Sequence, residues 1–207
     1  MAEITTMFWD MGGVILTNAW DRPARKRAVE KFQLDRDDFE GRHELMLDAF
    51  EKGQATLEEY LNRVVFYRSR HFTREEFKAF MCEQSQPIPE SLAVLESVAA
   101  AGQYLLVALN NESLELNDYR IERFRLSDYF DVFLSSCFLG VRKPHDQIYH
   151  LALSITYRDP DECVFIDDRP LNLECAKELG MQTIQYQNPA QLQDELRRIG
   201  VSLPGKT

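Results

Sequence analysis

Four places in the chain put polar residues directly after an apolar run, or in the loop beyond it. Asp10 follows "TMFW" and is succeeded by Met11, Gly12 and Gly13; Asn110 and Asn111 follow "YLLVAL". Arg142, Lys143 and Pro144 lie beyond a third run, and Asp167 and Asp168 end "CVFI". Taken singly, each has an ordinary structural role: an Asp or an Asn pair after a strand makes a turn or a cap. The pair Asp167-Asp168 fits that role less well, because adjacent carboxylates beside an apolar strand repel unless a cation lies between them. As one constellation the residues suggest a chemistry. Three carboxylates around one point suit a hard divalent cation, most simply Mg²⁺. A lysine and an amide supply charge and donors for a phosphoryl oxygen. A carboxylate facing such a cation can attack phosphorus and form an aspartyl-phosphate. The glycines fit, since backbone must come close to the ligand.

Such a constellation needs a scaffold that brings the strand ends to one edge. Five short apolar runs, at 6–9, 104–109, 132–135, 163–166 and 182–186, are continuous rather than alternating, as strands covered on both faces require. Helical patterns at 91–101, 114–124, 147–154 and 171–179 separate the last four, two of them closed by Gly102 and Gly180. Alternation of this kind predicts an α/β fold with a doubly wound, Rossmann-like parallel sheet. Ligands bind such sheets at the C-terminal strand ends, where the four polar clusters fall. Between 22 and 86 no strand signal occurs; helices are expected at 24–32, 36–52, 57–67 and 74–82, with acid-rich starts such as "DRDDFE" and "TREEF". The expected division is a core of residues 1–18 and 87–207 with a small helical cap of 19–86. The tail "VSLPGKT" is expected to fray.

The bulk numbers narrow the setting. A chain of 207 residues with 44% hydrophobic content can bury one full α/β core and a small accessory domain. A net charge of −10 disfavours a nucleic-acid backbone as partner and leaves a small anionic substrate open if the site is locally positive. The four cysteines show neither C-x-x-C nor zinc-finger spacing and are expected as buried free thiols. The N-terminal stretch has no signal-peptide pattern, and no apolar segment has the length of a membrane span. The expectation is a cytoplasmic protein without a membrane or nucleic-acid partner, its oligomeric state open.

The same residues resemble the motifs of the haloacid dehalogenase-like hydrolase superfamily. "FWDMGGVIL" is similar to the family's first motif, "LLVALNNES" to its second, "GVRKPHDQIY" to its lysine motif and "VFIDDRPLNLECAKELGM" to its acidic motif. The helical insert stands where the family carries its small cap. The nearest resemblance is to the branch holding α-glucose-1-phosphate phosphatase and the N-terminal phosphatase domain of soluble epoxide hydrolase. It implies a Mg²⁺-dependent phosphoric monoester hydrolase acting on a small phosphorylated metabolite. Asp10 would be the nucleophile and a metal ligand. Asp168 and the Gly12 carbonyl would complete the ligands, with Asp167 as ligand or directly behind it. Lys143 would neutralise the phosphoryl group and Asp10. Asn110, with Asn111 beside it, would hold a phosphoryl oxygen, and Asn172 would orient the acidic loop.

Two departures from the family pattern stand out. The second motif has Asn110 where a hydroxyl is usual, a mild change because an amide also donates. The acid/base Asp expected two positions after the nucleophile is Gly12. Its loss removes general acid–base catalysis, typically worth about 10²–10⁴-fold. Substrates with good leaving groups, a substitute such as His43, Glu44 or Glu112, or a chain that binds without turnover would each answer that loss. A metal-independent 2-haloacid dehalogenase is the rival enzyme, but it leaves the acidic pair facing no cation. In the cap, Trp20 reads as hinge packing ahead of a role with Arg22 at the entrance. Arg42-His43 reads as a solvated face, and "EEYLNRVVFYRSRHF" as cap core.

Overall fold

The computed structural model describes residues 3–203. Five parallel strands, β1 (Thr6–Trp9), β2 (Leu105–Ala108), β3 (Val132–Phe133), β4 (Cys163–Asp167) and β5 (Gln182–Gln185), form one sheet in the order β3-β2-β1-β4-β5. β1 is therefore central, and the chain reverses its direction of growth across it, which opens a crevice at the C-terminal strand ends. Register aligns those ends: Trp9 pairs with Ala108 on one side and Ile166 on the other. Asp10, Asn110 and Asp167 thus leave the sheet along one edge.

Both faces of the sheet are covered. Helices α5 (Pro89–Ala101) and α10 (Pro189–Arg198) bury Val94, Leu95, Leu192 and Leu196 with Met7 and Trp9 of β1. On the other face α8 (Asp146–Thr156) and α9 (Pro170–Glu178) bury Ile148, Tyr149, Leu173 and Ala176 with Phe8. That two-sided burial is why the strand runs do not alternate in polarity. The third strand is shorter than its apolar run suggests, because Ser135 leaves the sheet to start α7 (Ser136–Leu139). α10 was not anticipated; its signals are Asn188 as N-cap, Pro189 in the first turn, and Leu192 and Leu196 one turn apart. The tail expected to fray is held as far as Ser202, whose N–H donates to Tyr104 Oη (2.9 Å), and Val201 is buried; residues 204–207 lie outside the described residues.

Between β1 and α5 run four helices, α1 (Arg22–Phe32), α2 (Arg36–Glu51), α3 (Leu57–Val64) and α4 (Arg74–Glu83). Thr56 and Thr73 begin α3 and α4 with complete capping boxes. The four helices enclose their own aromatic cluster, with Phe77 packed against Trp20 (5.7 Å), Phe32 (4.8 Å) and Phe72 (5.9 Å). Tyr60, Leu61, Val64, Phe66 and Phe72, all from the stretch read as cap core, belong to it. Among the described residues no helix is long and apolar enough to cross a membrane.

Candidate active site

Asp10 leaves β1 and turns sharply: its own Oδ1 accepts from Met11 N–H (2.8 Å). Gly13 follows at φ 78°, and a Cβ there would come 2.5 Å from Asp168 Oδ2. Glycine is therefore needed twice over, for the left-handed backbone and for the approach of Asp168. Asp10, Asp167 and Asp168 bring one oxygen each to within 4.8 Å of one another. Lys143 Nζ stands among them, donating to Asp167 Oδ2 (2.6 Å) and 3.2 Å from Asp10 Oδ1. The lysine is itself fixed at its backbone. Asn111 Nδ2 donates to the Lys143 carbonyl (2.8 Å), and the Lys143 N–H donates to Asn111 Oδ1 (2.9 Å).

Burial dominates the electrostatics. It pushes the Asp10 carboxyl well above the usual range; Lys143 opposes this, and the charges of Asp167 and Asp168 add to it. Asp168 is raised by burial and then by Asp167. For Lys143 burial works against the charge, but Asp10 and Asp167 outweigh it and the pKa stays above its ordinary value. One ammonium thus faces three carboxylates. Asp168 Oδ1 is buried with no hydrogen-bond partner, while Met11 N–H and the Lys143 ammonium both approach Asp10 at Oδ1. An unpartnered carboxylate oxygen amid excess negative charge is what a hard divalent cation requires, so the residues fit Mg²⁺. Asp167 is different. Both its oxygens are engaged, Oδ1 by Arg169 N–H (2.8 Å), Oδ2 by Lys143, and both by Asn172 Nδ2 (3.0 and 2.9 Å).

A cavity of about 250 Å³ opens over this cluster, lined from the sheet edge by Asp10, Gly12, Asn111 and Lys143 and from the cap by Trp20 and His43 among others. Asn110 does not line it. Its Oδ1 accepts from Ser135 Oγ (2.8 Å) and its Nδ2 donates to Asn117 Oδ1 (2.9 Å), a wholly buried network. The role expected for Asn110 at the phosphoryl group is therefore corrected: its amide joins the ends of β2 and β3 to α6 (Leu114–Arg123).

The cap residues also shift. His43 is buried and not part of a solvated face. Trp20 Nε1–H donates to Tyr60 Oη (2.8 Å), which leaves the Tyr60 hydrogen for His43 Nδ1 (2.9 Å). Burial, with Arg25 and Arg142 nearby, lowers the His43 pKa to about 3, so the ring stays neutral near pH 7. Arg42 does lie on the partly exposed surface, paired to Asp38 (2.8 Å). Three residues beside the cavity escaped the sequence reading. Asn18 and Arg120 fill the space beside Gly12, with Asn18 Oδ1 2.9 Å and Arg120 Nη2 3.6 Å from the position of an added Cβ. Glu51 ends α2 at the cavity wall. An acid at the last position of a helix, against the dipole, was its available signal. For Arg120 it was a cation one turn beyond buried Leu116 and Asn117.

A parallel sheet with a buried carboxylate at the end of its central strand, a lysine among three acids and a helical insert after that strand is the arrangement of an α/β hydrolase. The chain belongs to the haloacid dehalogenase-like hydrolases, whose family profile matches residues 4–180. It is similar to flavin mononucleotide hydrolase 1 of Arabidopsis thaliana, 30% identical over 164 residues, covering 79% of this chain and 66% of that protein. D-ribitol-5-phosphate phosphatase of Bacteroides thetaiotaomicron is 37% identical over 71 residues, covering 34% of each. The chain thus spans slightly under two thirds of the first relative and about a third of the second. A HAD family enzyme of Bacteroides thetaiotaomicron, solved as a magnesium complex, superposes with a TM-score of 0.75 at 22% identity, covering 90% of this chain and 94% of that one. At that identity the likeness is one of fold.

Proposed function

We propose that the chain is a Mg²⁺-dependent phosphatase that hydrolyses small phosphate monoesters through an aspartyl-phosphate on Asp10. The observation that carries the reading is the gathering of the Asp10, Asp167 and Asp168 carboxylates around the Lys143 ammonium, with a buried, unpartnered oxygen on Asp168. Asp10, Asp168 and the Gly12 carbonyl would hold the metal. A Mg²⁺ ion held by these groups would supply positive charge to offset the charge of the acids and of a phosphoryl group. Asp10 attacks phosphorus with one oxygen. Lys143 neutralises the developing charge and keeps Asp10 and Asp167 from repelling each other. Asp167 takes no ligand position in this reading; with its oxygens engaged, it orients Lys143 and, through Asn172, the acidic loop. Asn111 holds the lysine backbone. Residues 19–86 act as the cap that shapes the leaving-group space. Phosphatase relatives and a magnesium-bound fold relative support this reading. The four cysteines are free, though only Cys163 is fully buried and not all four as expected, and free thiols are compatible with a cytoplasmic placement.

A dehalogenase would need no cation, and Asp168 Oδ1 would then be buried facing nothing. Phosphate release from a panel of sugar, polyol and aryl monoesters, measured with Mg²⁺ and with EDTA, tests the proposal. Metal-dependent release abolished by Asp10→Asn is expected. No metal-dependent release from any ester in the panel would refute it, and EDTA-insensitive chloride release from a 2-haloacid would favour the dehalogenase.

A further inference from the structure

With glycine at position 12, a leaving oxygen that needs a proton has to take it from a different group. Besides Asp10, four carboxyl or imidazole side chains line the cavity: Asp21, His43, Glu51 and Glu112. Asp21 caps α1, its Oδ1 accepting from Ala24 N–H (2.9 Å). His43 is neutral and gives its Nδ1 to Tyr60. Glu112 is clamped, Oε1 by Ser113 N–H (2.9 Å) and Oε2 by Arg120 Nη1 (3.1 Å). Glu44 is exposed and does not reach the cavity wall. Of these, Glu51 alone keeps a buried carboxylate oxygen that accepts no hydrogen bond, although it is ion-paired with Arg142. Its Oε2 is 3.0 Å from Arg142 Nε but makes no aligned hydrogen bond.

Glu51 is also held in place. It is the last residue of α2, and its carbonyl accepts from Ser136 Oγ (2.5 Å), which ties this end of the cap to the core. Gly53, at φ 66°, lets the following turn pack on the Cys137 backbone, where a side chain would collide. The helix end disfavours a negative charge at this position.

We propose that Glu51 is the acid/base of this enzyme, supplied by the cap in place of the missing side chain at Gly12. The inference rests on the phosphatase reading. In the first step Asp10 forms a bond to phosphorus, the phosphorus–oxygen bond to the leaving group breaks, and the Glu51 carboxyl proton passes to that oxygen. In the second, water attacks phosphorus, the bond to Asp10 breaks, and the Glu51 carboxylate takes the water proton. The charged groups around it are Arg142 from the loop before α8, Glu112 beyond β2, Arg169 beyond β4 and Asp48 on its own helix. Burial first, opposed by Arg142 and aided by Glu112, pushes the Glu51 carboxyl up to about 7, the range in which one group serves as acid and then as base.

A leaving-group comparison of Glu51→Gln tests this. In the variant, kcat/KM for an alkyl ester such as glycerol phosphate should fall about 10²-fold or more, the range for a lost general acid. For 2,4-dinitrophenyl phosphate, which needs no proton, it should fall tenfold or less. The wild type should lose kcat/KM for the alkyl ester as pH rises through about 7, and the variant should not. Glu51→Asp should keep the alkaline limb at reduced rate. An equal fall for both esters, or an alkaline limb that survives in Glu51→Gln, would overturn the inference and mark Glu51 as a latch between cap and core. Wild-type protein that hydrolyses neither ester would sink the phosphatase reading and this inference with it.

Discussion

At the scale of the residue, the space beside Gly12 decides what substitution can restore. Position 12 has no left-handed φ, so backbone strain does not stand in the way. A new carboxylate there would displace the end of Asn18 and be drawn to Arg120, whose Nη2 is 3.6 Å from the added Cβ. Pairing of that kind keeps a carboxyl ionised and makes it a poor acid. Gly12→Asp should therefore raise alkyl-ester turnover by about tenfold at most, below the range of a well-placed general acid; a larger gain in steady-state assays would show that Arg120 does not engage it. Glu51 gives a pH prediction with a definite sign. Its carboxyl titrates at about 7 in the folded chain against 4.5 ordinarily, so the folded state holds the proton more tightly. The resulting stability is fully present below about pH 4.5 and is lost as pH rises through about 7. With the side chain 22% exposed, the effect should be about 1–3 kcal/mol. Urea unfolding at pH 5 and pH 7.5 should show this loss in the wild type beyond that in Glu51→Gln; equal losses would refute it. The sequence made Asp10, Lys143 and the acidic pair legible because each follows a strand end. Glu51, Asn18 and Arg120 were not, because tertiary packing alone brings them to the site.

At the scale of the element, the strands could be located because burial on both faces leaves an unmistakable apolar run. The cap helices could be located from their caps, as the boxes at Thr56 and Thr73 bear out. What could not be read was which cap residues turn inward. Arg42 and His43 are neighbours in sequence, yet one pairs with Asp38 at the surface and the other closes the Trp20–Tyr60 relay. Helical phase fixes that difference, since neighbouring side chains on a helix point about 100° apart. α3 likewise stops at Val64, short of the apolar stretch that continues to Tyr67, since Val65 and Phe66 both bond back to the Leu61 carbonyl and close the helix. The cap core invites a direct measurement. Phe77 is fully buried among Trp20, Phe32, Phe39, Phe66 and Phe72. Phe77→Ala should cost about 3–5 kcal/mol in urea unfolding. It should also raise KM, since Trp20 and His43 line the cavity and are held by Tyr60 of the same ring cluster. A loss below about 1 kcal/mol would mean the cluster collapses onto the space and the cap is softer than its packing indicates.

At the scale of the whole molecule, charge is divided unevenly. The chain carries −10 overall, yet its cavity wall holds Arg22, Arg25, Arg120, Arg142, Lys143 and Arg169 against Asp10, Asp21, Glu51 and Glu112. The local excess of cations is what an anionic ester needs in a protein that otherwise repels it. Net charge alone could not reveal this, because it averages over surfaces far from the site. At the sheet edge beneath the cavity the acids crowd the other way, three carboxylates to one ammonium. A divalent cation relieves that crowding only in the folded chain, where strands β1 and β4 lie side by side; the unfolded chain offers no such cluster. Mg²⁺ should therefore stabilise the fold by mass action, by about 2.7 kcal/mol at a hundredfold excess over its dissociation constant. For a chain of this size that is a rise in Tm of about 5–10 °C. Thermal melts with Mg²⁺ and with EDTA measure it. Asp168→Asn should abolish the shift, since it removes the carboxylate whose Oδ1 has no protein partner. A variant that keeps the full shift would place the cation elsewhere and detach it from the site built at the end of β1.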